Sequence, residues 1–327
     1  MTIKRKLGLL AAGLAFCAGA SGAWAAQWPE RTVNVIVPYG PGSSPDGFAR
    51  AIFDTVSRNT GQSFVIENKP GAGGMIGAGM VAKAAPDGYT LVLADSAPFG
   101  INTLLYKKMA YDPFKDLEPV AAVAEGGFFI AVNSDTKITN IKELFEAINA
   151  PGSKFSYSSS GIGTQGHLVM SELMNRGGEA ARAVPHVPYP SSAKAVSALV
   201  ANDVQVSTLP AITAMPQIRA ERIRPIAIIG AKRLEFTPDV PTLKEQGYDL
   251  SDGAVVGVMA PAGTPDAVID QIHKEITRAL KEEVVLNSFK AQGLDVSDKG
   301  PAEFTAYLKK EVARWKPVIE KQGISLD

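Results

Sequence analysis

Cysteine is almost absent from this chain of 327 residues, which contains only Cys17. Cys17 lies in an apolar segment, residues 7–20, that follows a basic start at residues 4–6 and precedes a small-x-small pattern at residues 23–25. This arrangement is typical of a cleavable export signal. We therefore predict a signal peptide over residues 1–25. The mature chain then has no thiol, which excludes disulfides, zinc–thiolate sites and cysteine nucleophiles.

An excess of one charge sign is also missing. The chain has 33 basic and 33 acidic residues, and removing the three basic residues of the signal leaves 30 against 33, a net charge near −3. Without a basic tract, nucleic acid is excluded as a partner. No apolar run reaches the roughly 20 residues that a membrane helix needs.

The motifs of several enzyme classes are absent. Gly71-x-Gly73-x-x-Ile76 lacks the third glycine of a dinucleotide fingerprint, no Walker lysine follows a glycine-rich loop, and there is no G-x-S-x-G elbow. Only three histidines occur, without an evident acid partner. We therefore expect no cofactor, no metal and no catalysis.

What the chain does contain is one repeated pattern of an apolar run, a small-residue loop and an amphipathic stretch. Val33–Val37 is a β-branched run of the kind found in buried parallel strands. Residues 40–44 follow as a Gly-Pro-Gly-Ser-Ser loop, with Ser44 as the predicted N-cap and Pro45 as the first residue of a helix. The pattern recurs at residues 64–81, 89–96, 155–174, 186–200 and 255–282. It predicts βαβ units and an α/β fold.

Two apolar stretches are candidates for crossings between lobes. Residues 120–132 are interrupted by Gly126-Gly127, and residues 226–229 form a second run. One crossing in each direction predicts a discontinuous first lobe, residues 26–124 with 229–327, and a second lobe, residues 125–228. The final helix, from Glu303 to about Glu320, could pack on either lobe.

The loops that follow the predicted strands favour an anionic ligand. In open α/β sheets ligands bind beyond the carboxyl ends of the strands, where helix N-termini offer free N–H groups. These loops are rich in glycine and hydroxyl side chains and lack lysine and arginine. Backbone N–H and hydroxyl groups can hold a carboxylate without a counter-charge.

Other residues near these loops allow two interpretations each. His167 and His186 either shape the loops through backbone contacts or form a hydrolase-like triad with Ser160. The Asp46 carboxylate is either stabilised by the positive end of its helix dipole, or it fixes the loop before the helix. Tyr39, like Phe99, follows a strand and serves either as an apolar wall for a ligand or as core.

The same loops resemble those of the receptors of tripartite tricarboxylate transporters, the Bug family, over essentially the whole mature chain. The resemblance is carried by Trp28-Pro29-Glu30-Arg31, Val37-Pro38-Tyr39-Gly40-Pro41-Gly42 with Asp46 and Arg50, Glu67-Asn68-Lys69-Pro70-Gly71-Ala72-Gly73-Gly74, Pro86-Asp87-Gly88-Tyr89-Thr90-Leu91, Tyr111-Asp112-Pro113, Ser159-Ser160-Gly161-x-Gly163-Thr164 with His167-Leu168, His186-Val187-Pro188-Tyr189, Pro238-Asp239-Val240-Pro241-Thr242 and Ala260-Pro261-Ala262-Gly263-Thr264-Pro265.

The resemblance implies a two-lobed α/β periplasmic-binding-protein fold (Venus flytrap, type II-like), with a parallel-rich sheet in each lobe and a ligand cleft between them. It implies a monomeric periplasmic receptor that passes a di- or tricarboxylate, an acidic amino acid or an aromatic acid to membrane permease subunits. A membrane sensor is an alternative partner. The matching ligand-binding positions are Tyr39, Gly42, Ser43, Ser44, Ala72, Gly73, Ser96, Ser159, Ser160, Gly161, Gly163, Thr164, Tyr189, Ser191 and Ser192, with Asp46, His167 and His186 as loop-shaping residues.

Three departures from the family pattern fall in or near these loops. Gly40-Pro41-Gly42-Ser43-Ser44 stands where the family usually has Pro-Pro-Gly-Gly-Ser, and Tyr189-Pro190-Ser191-Ser192 where it has Tyr-Lys-Gly-Ser. Ala201-Asn202-Asp203-Val204-Gln205 stands in place of a common Gly-Gly-x-Val-Asp. These changes predict an unusual ligand, with a second carboxylate or an aromatic ring both open.

Overall fold

The described part of the chain alternates between strands and helices. The computed structural model describes residues 28–250, 253–291 and 294–326, and the predicted signal peptide over residues 1–25 lies outside the described residues. The strands, β1 to β11 in chain order, are Val33–Val37, Phe64–Asn68, Thr90–Asp95, Leu117–Gly126, Phe128–Asn133, Tyr157–Ser159, His186–Pro188, Val206–Pro210, Ile223–Ile229, Ala254–Pro261 and Leu294–Val296. The helices, α1 to α11, are Ser44–Thr60, Met75–Val81, Asn102–Leu105, Ile141–Asn149, Gln165–Arg176, Glu179–Arg182, Ser192–Val200, Ala211–Arg219, Asp266–Ala279, Glu283–Ala291 and Pro301–Gln322.

The first strand and helix form as the residue pattern predicts. The side chains of β1 are mostly buried, and α1 buries an apolar face that includes Phe48, Ile52 and Phe53. Gly61 ends α1 in the left-handed conformation, which glycine adopts without steric cost. The predicted N-cap is wrong by one residue, because Ser43 is the N-cap and Ser44 is already helical.

The first sheet has six strands in the order β11, β4, β10, β3, β1, β2. β1 pairs in parallel with β2 and β3, so the loops after these three strands meet at one edge of the sheet. β10 runs antiparallel to β3 and β4, and β11 runs antiparallel to β4. The prediction that β10 begins a βαβ unit is therefore wrong.

The second sheet has five strands in the order β7, β6, β8, β5, β9. β6 pairs in parallel with β7 and β8, whereas β5 is antiparallel to β8 and β9. Both sheets are therefore mixed rather than predominantly parallel. In each of them the parallel strands are the ones followed by the candidate ligand loops.

Two connections, one short and one long, join the same edges of the two sheets. Gly127 links the end of β4 to the start of β5, and Phe128 pairs with Pro210 at the carboxyl end of β8. The return connection begins after Ile229, which also pairs with Phe128, and reaches Gly253 just before β10. A Cβ atom at Gly253 would lie 2.2 Å from the Gly126 carbonyl oxygen and 3.5 Å from the Ile229 carbonyl oxygen. The ligand loops of both sheets therefore flank one narrow backbone crossing.

The last helix, α11, packs on the cores of both sheets. Phe304, near its start, lies in the core under the first sheet and contacts Phe99 with ring centroids 6.3 Å apart. Trp315 and Ile319 lie in the core of the second sheet. None of the helices between residues 28 and 326 that the structure describes combines the length and apolar character needed to cross a membrane.

Candidate functional site

Asp46 fixes the loop after β1. Its Oδ2 accepts a hydrogen bond from the Gly42 N–H at 2.9 Å, and its Oδ1 accepts from Arg50 at 2.9 Å and from the Asn68 amide at 3.0 Å. Burial alone would raise the pKa of the Asp46 carboxyl, but the bonds from Arg50, Gly42 and Asn68 together hold that pKa below its usual value. Of the two interpretations of Asp46, the geometry supports loop shaping. The hydroxyl of Ser43 is buried without a hydrogen-bond partner among the described residues.

The loop after β2 packs against its neighbours on the same edge. Ala72, Gly73 and Gly74 have φ angles of 48°, 59° and 87°, a run of left-handed conformations that needs small residues. The Gly73 carbonyl accepts a hydrogen bond from Asn102 at 2.9 Å. A Cβ atom at Gly74 would lie 3.2 Å from Pro98, which follows β3. The predicted positions Ala72 and Gly73 therefore lie beside the loop after β3.

The loop after β3 brings two carboxyl groups to this edge. Asp95 Oδ1 accepts hydrogen bonds from the Tyr39 hydroxyl at 2.7 Å and from the Ala97 N–H at 3.0 Å. Ser96 is buried, and its hydroxyl donates to Glu311 of α11 at 3.1 Å. Sequence analysis singled out Tyr39 and Ser96 but missed the acidic partner of each. Both hydroxyls are already occupied within the protein, so their predicted contact with a ligand stays a prediction.

On the second sheet, one hydrogen-bonded loop connects β6 to α5. The Ser159 hydroxyl donates to the Gly161 carbonyl at 3.0 Å and lies 2.8 Å from His186 Nε2. Thr164 is the N-cap of α5, and its hydroxyl donates to the same Gly161 carbonyl at 2.8 Å. Gly161 and Gly163 have φ angles of 137° and 76°, which favour glycine. The loop is therefore shaped by its own side chains and leaves the start of α5 at the sheet edge.

The two histidines of this region stack on each other. The His167 and His186 rings have centroids 4.0 Å apart, and Tyr157 stacks on the outer face of His186 at 4.8 Å. His167 Nδ1 accepts a hydrogen bond from the Gly163 N–H at 3.0 Å. Burial lowers the pKa of His167 to about 3 and that of His186 to about 4, so both rings are neutral at neutral pH.

The predicted triad of Ser160, His167 and His186 is not formed among the described residues. The serine that meets a histidine is the buried Ser159, not the predicted Ser160. No carboxylate among the described residues hydrogen-bonds either imidazole ring, so nothing orients His167 or His186 as a general base. The loop-shaping interpretation fits both rings.

These neutral histidines predict a pH-dependent stability. In the unfolded chain each histidine titrates near pH 6.5. Because the folded pKa values are lower, the unfolded state binds more protons below pH 6.5, and stability falls as the pH is lowered. Urea denaturation between pH 6.5 and 4.5 should show that the stability difference between wild type and His186→Gln shifts against wild type by about 1 kcal/mol per pH unit. A difference between the two proteins that does not change with pH would contradict the buried, neutral stack.

The remaining predicted residues of the second sheet lie near β6. The Tyr189 N–H donates to the Ser159 carbonyl at 3.1 Å, which places the loop after β7 beside the loop after β6. Ser191 is the N-cap of α7 and accepts from the Lys194 N–H at 3.3 Å, and Ser192 is the first residue of that helix. These residues therefore present a second helix N-terminus at the same edge.

Thr208, the third residue of β8, was missed by sequence analysis. It is 1% exposed, and its hydroxyl has no hydrogen-bond partner among the described residues. A Cβ atom at Gly166, in the first turn of α5, would lie 3.1 Å from the Thr208 Cβ. The alternation of Val204 and Val206 with Gln205 and Ser207 was the available signal for this strand.

The loop before α5 meets the short helix α3, which follows β3. A Cβ atom at Gly163 would lie 2.4 Å from the Leu105 Cδ1, and Leu105 belongs to the short helix after β3. A surface cavity of about 550 Å³ beside Trp28 and Glu275 contains none of the predicted residues. The predicted residues thus form two groups, one per sheet, that face the crossing from opposite sides.

Comparison with known proteins agrees with this architecture. A family model described as "Tripartite tricarboxylate transporter family receptor" matches residues 48–324. The protein BugT of Bordetella pertussis is 31% identical over 330 residues, covering 100% of both chains.

Solved structures show the same likeness. The R. palustris protein Rpa4515, solved with adipate, is 30% identical and superposes with a TM-score of 0.79, covering 91% of this chain and 99% of the other. MatC from Rhodopseudomonas palustris, solved with bound malate, is 29% identical with a TM-score of 0.76, covering 89% and 100%. The two-lobed α/β fold predicted from the sequence is therefore confirmed, and the chain belongs to the receptor family of tripartite tricarboxylate transporters, the Bug family that its loop motifs resemble.

Proposed function

We propose that this chain is a periplasmic receptor, not an enzyme, that encloses a small organic acid between two lobes. The lobes are residues 26–124 with 229–327, and residues 125–228. The observation that carries the proposal is the pairing of two sets of ligand loops across the short crossing at Gly127 and Gly253. Family membership and the adipate and malate bound by relatives support an organic acid as the ligand.

The chemistry of the loops supports a carboxylate in particular. The helices α1, α5 and α7 all begin at these edges, and their first N–H groups and positive dipole ends favour an anion. The stacked histidines stay neutral, so the anion would be held by N–H and hydroxyl groups rather than by an ion pair. Ser160, which is partly exposed, offers a hydroxyl on the second lobe.

Ligand capture would then close the lobes about the crossing. Contacts from both lobes to one ligand favour the closed form over the open form, which is the condition for a ligand-driven hinge motion. The loaded receptor would deliver the acid to permease subunits in the membrane. Loss of uptake of the bound acid by cells lacking this chain would support delivery to a permease, whereas unchanged uptake would favour a membrane sensor as the partner.

The proposal predicts thermal stabilisation by organic acids. A ligand at 100 times its Kd stabilises the folded state by about 2.7 kcal/mol. Purified protein should therefore show a melting temperature that rises with the concentration of at least one acid in a panel of di-, tri- and aromatic carboxylates and amino acids. Ser160→Ala should reduce this rise, whereas Ser153→Ala, an exposed serine of the same lobe, should not. If no acid in the panel shifts the melting temperature or releases heat, the proposal fails.

A further inference from the structure

The first-lobe side of the proposed cleft contains an uncompensated acidic group. Asp95 ends β3 and is partly exposed at the edge where the ligand loops meet. Its Oδ1 accepts hydrogen bonds from the Tyr39 hydroxyl and the Ala97 N–H, which hold the carboxylate in one orientation. Behind it, Glu311 is 2% exposed and accepts from Ser96 with one oxygen, while its Oε2 has no partner among the described residues.

No cation of the protein neutralises this pair. Among the described residues, neither Asp95 nor Glu311 takes part in an ion pair, and the nearby Arg50 and Lys69 pair with Asp46 and Glu67 instead. Burial raises the pKa of Glu311 to about 8, so its carboxyl group is protonated at neutral pH. Burial raises the pKa of the Asp95 carboxyl, whereas the hydrogen bonds from Tyr39 and Ala97 lower it, so a cation beside Asp95 would supply the counter-charge that the described residues do not.

The second-lobe side has the opposite character. Its loops present helix N-termini and hydroxyl groups beside neutral histidines, without an acidic side chain in the hydrogen-bonded network around Ser159 and His167. The second-lobe side of the cleft therefore favours an anion. The Asp95 carboxyl on the first-lobe side favours a hydrogen-bond donor with a positive charge. A ligand with a carboxylate at both ends would place its second anion against Asp95.

We propose that Asp95 determines specificity by receiving an ammonium group, so that the ligand is an amino acid whose carboxylate lies on the second-lobe loops and whose amino group faces the first lobe. This inference rests on the proposed receptor function and narrows its ligand to the amino-carboxylate class. Tyr39 and Ala97 act as positioning groups for the Asp95 carboxylate. Asp95 is the more exposed of the two carboxyl groups, so an ammonium group that enters the cleft meets Asp95 rather than Glu311.

Matched ligands that differ only in the group facing Asp95 test the inference. Titration calorimetry would compare dicarboxylates of three to six carbons with the amino acids in which one terminal carboxylate is replaced by an amino group, for example glutarate with 4-aminobutanoate and adipate with 5-aminopentanoate. The wild-type protein should bind at least one amino compound tenfold or more tighter than its matched dicarboxylate. Asp95→Asn should lose this preference. Asp54→Asn, which removes the same charge from an exposed position of α1, should keep it.

The outcomes separate this inference from the receptor function. If dicarboxylates bind the wild-type protein as tightly as their amino counterparts or tighter, the inference is overturned while the receptor function stands. If neither class binds and other organic acids also fail, the receptor function itself fails. Should Asp95→Asn not fold, the wild-type comparison decides alone, because it needs no variant.

Discussion

Gly163→Ala should weaken ligand binding about a hundredfold, which corresponds to about 2.7 kcal/mol. Gly163 has a φ of 76°, and an added Cβ would lie 2.4 Å from the Cδ1 of Leu105, which is buried in the core of the second sheet although its helix follows β3. Overpacking at such a contact forces backbone or side-chain shifts. Here the shift would displace the loop before α5 and the helix after β3, and with them the loops proposed to hold the ligand.

A matched control isolates the contact from the backbone strain. Gly152 lies in the same lobe with a φ of 77°, but an added Cβ there meets nothing within 4 Å. Gly152→Ala therefore has the same conformational cost, about 1 kcal/mol of stability, without the contact. Calorimetric titration should show near-normal affinity for Gly152→Ala. Equal loss of affinity in both variants would show that strain, not the contact with Leu105, is responsible.

Trp315→Ala should lower the free energy of unfolding by about 3–5 kcal/mol. Trp315 is fully buried in the second core, on the helix whose start lies in the first core at Phe304. Removing the indole leaves a cavity where α11 joins the two cores. Urea denaturation measures the loss directly.

Two further variants define the cause of that loss. Trp315→Phe keeps an aromatic ring and removes an indole N–H that has no hydrogen-bond partner among the described residues, so it should cost less than about 1.5 kcal/mol. Lys316→Ala changes the exposed neighbour and should stay within about 0.5 kcal/mol. A loss for Trp315→Ala no larger than for Lys316→Ala would mean that α11 does not stabilise both cores.

The sequence predicted the local units of the fold because their causes are local. The β-branched run of β1 and the helix-spaced apolar residues of α1 lie together in the chain, so the pattern shows both elements. The direction of β10 depends on pairing with β3 and β4, more than a hundred residues earlier for both partners. A strand pattern contains no information about such a distant neighbour, and β10 was wrongly assigned to a βαβ unit.

The candidate site was predicted at the level of loops but not of individual atoms. Ser159 is the last residue of β6, and it is Ser159 rather than Ser160 that meets His186. Register at a strand end depends on the neighbouring strand, which the sequence does not show.

Glu311 was missed for a different reason. It falls on the buried stripe of α11 with Leu308 and Trp315, at helical spacing. A carboxyl group at a core position is a signal of a buried polar contact, and it was visible in the sequence. Its partner, Ser96, lies 215 residues earlier, so only the folded chain shows what the carboxyl meets.

We expect a crystal structure of the protein with a bound organic acid to show the ligand in contact with both sets of loops. Its carboxylate should lie within hydrogen-bond distance of N–H or hydroxyl groups of residues 159–164, without a lysine or arginine contact, and another part of the ligand should meet at least one first-lobe loop. A ligand held by one sheet alone, or a carboxylate held by a basic side chain, would show that the two sets of loops do not form one site.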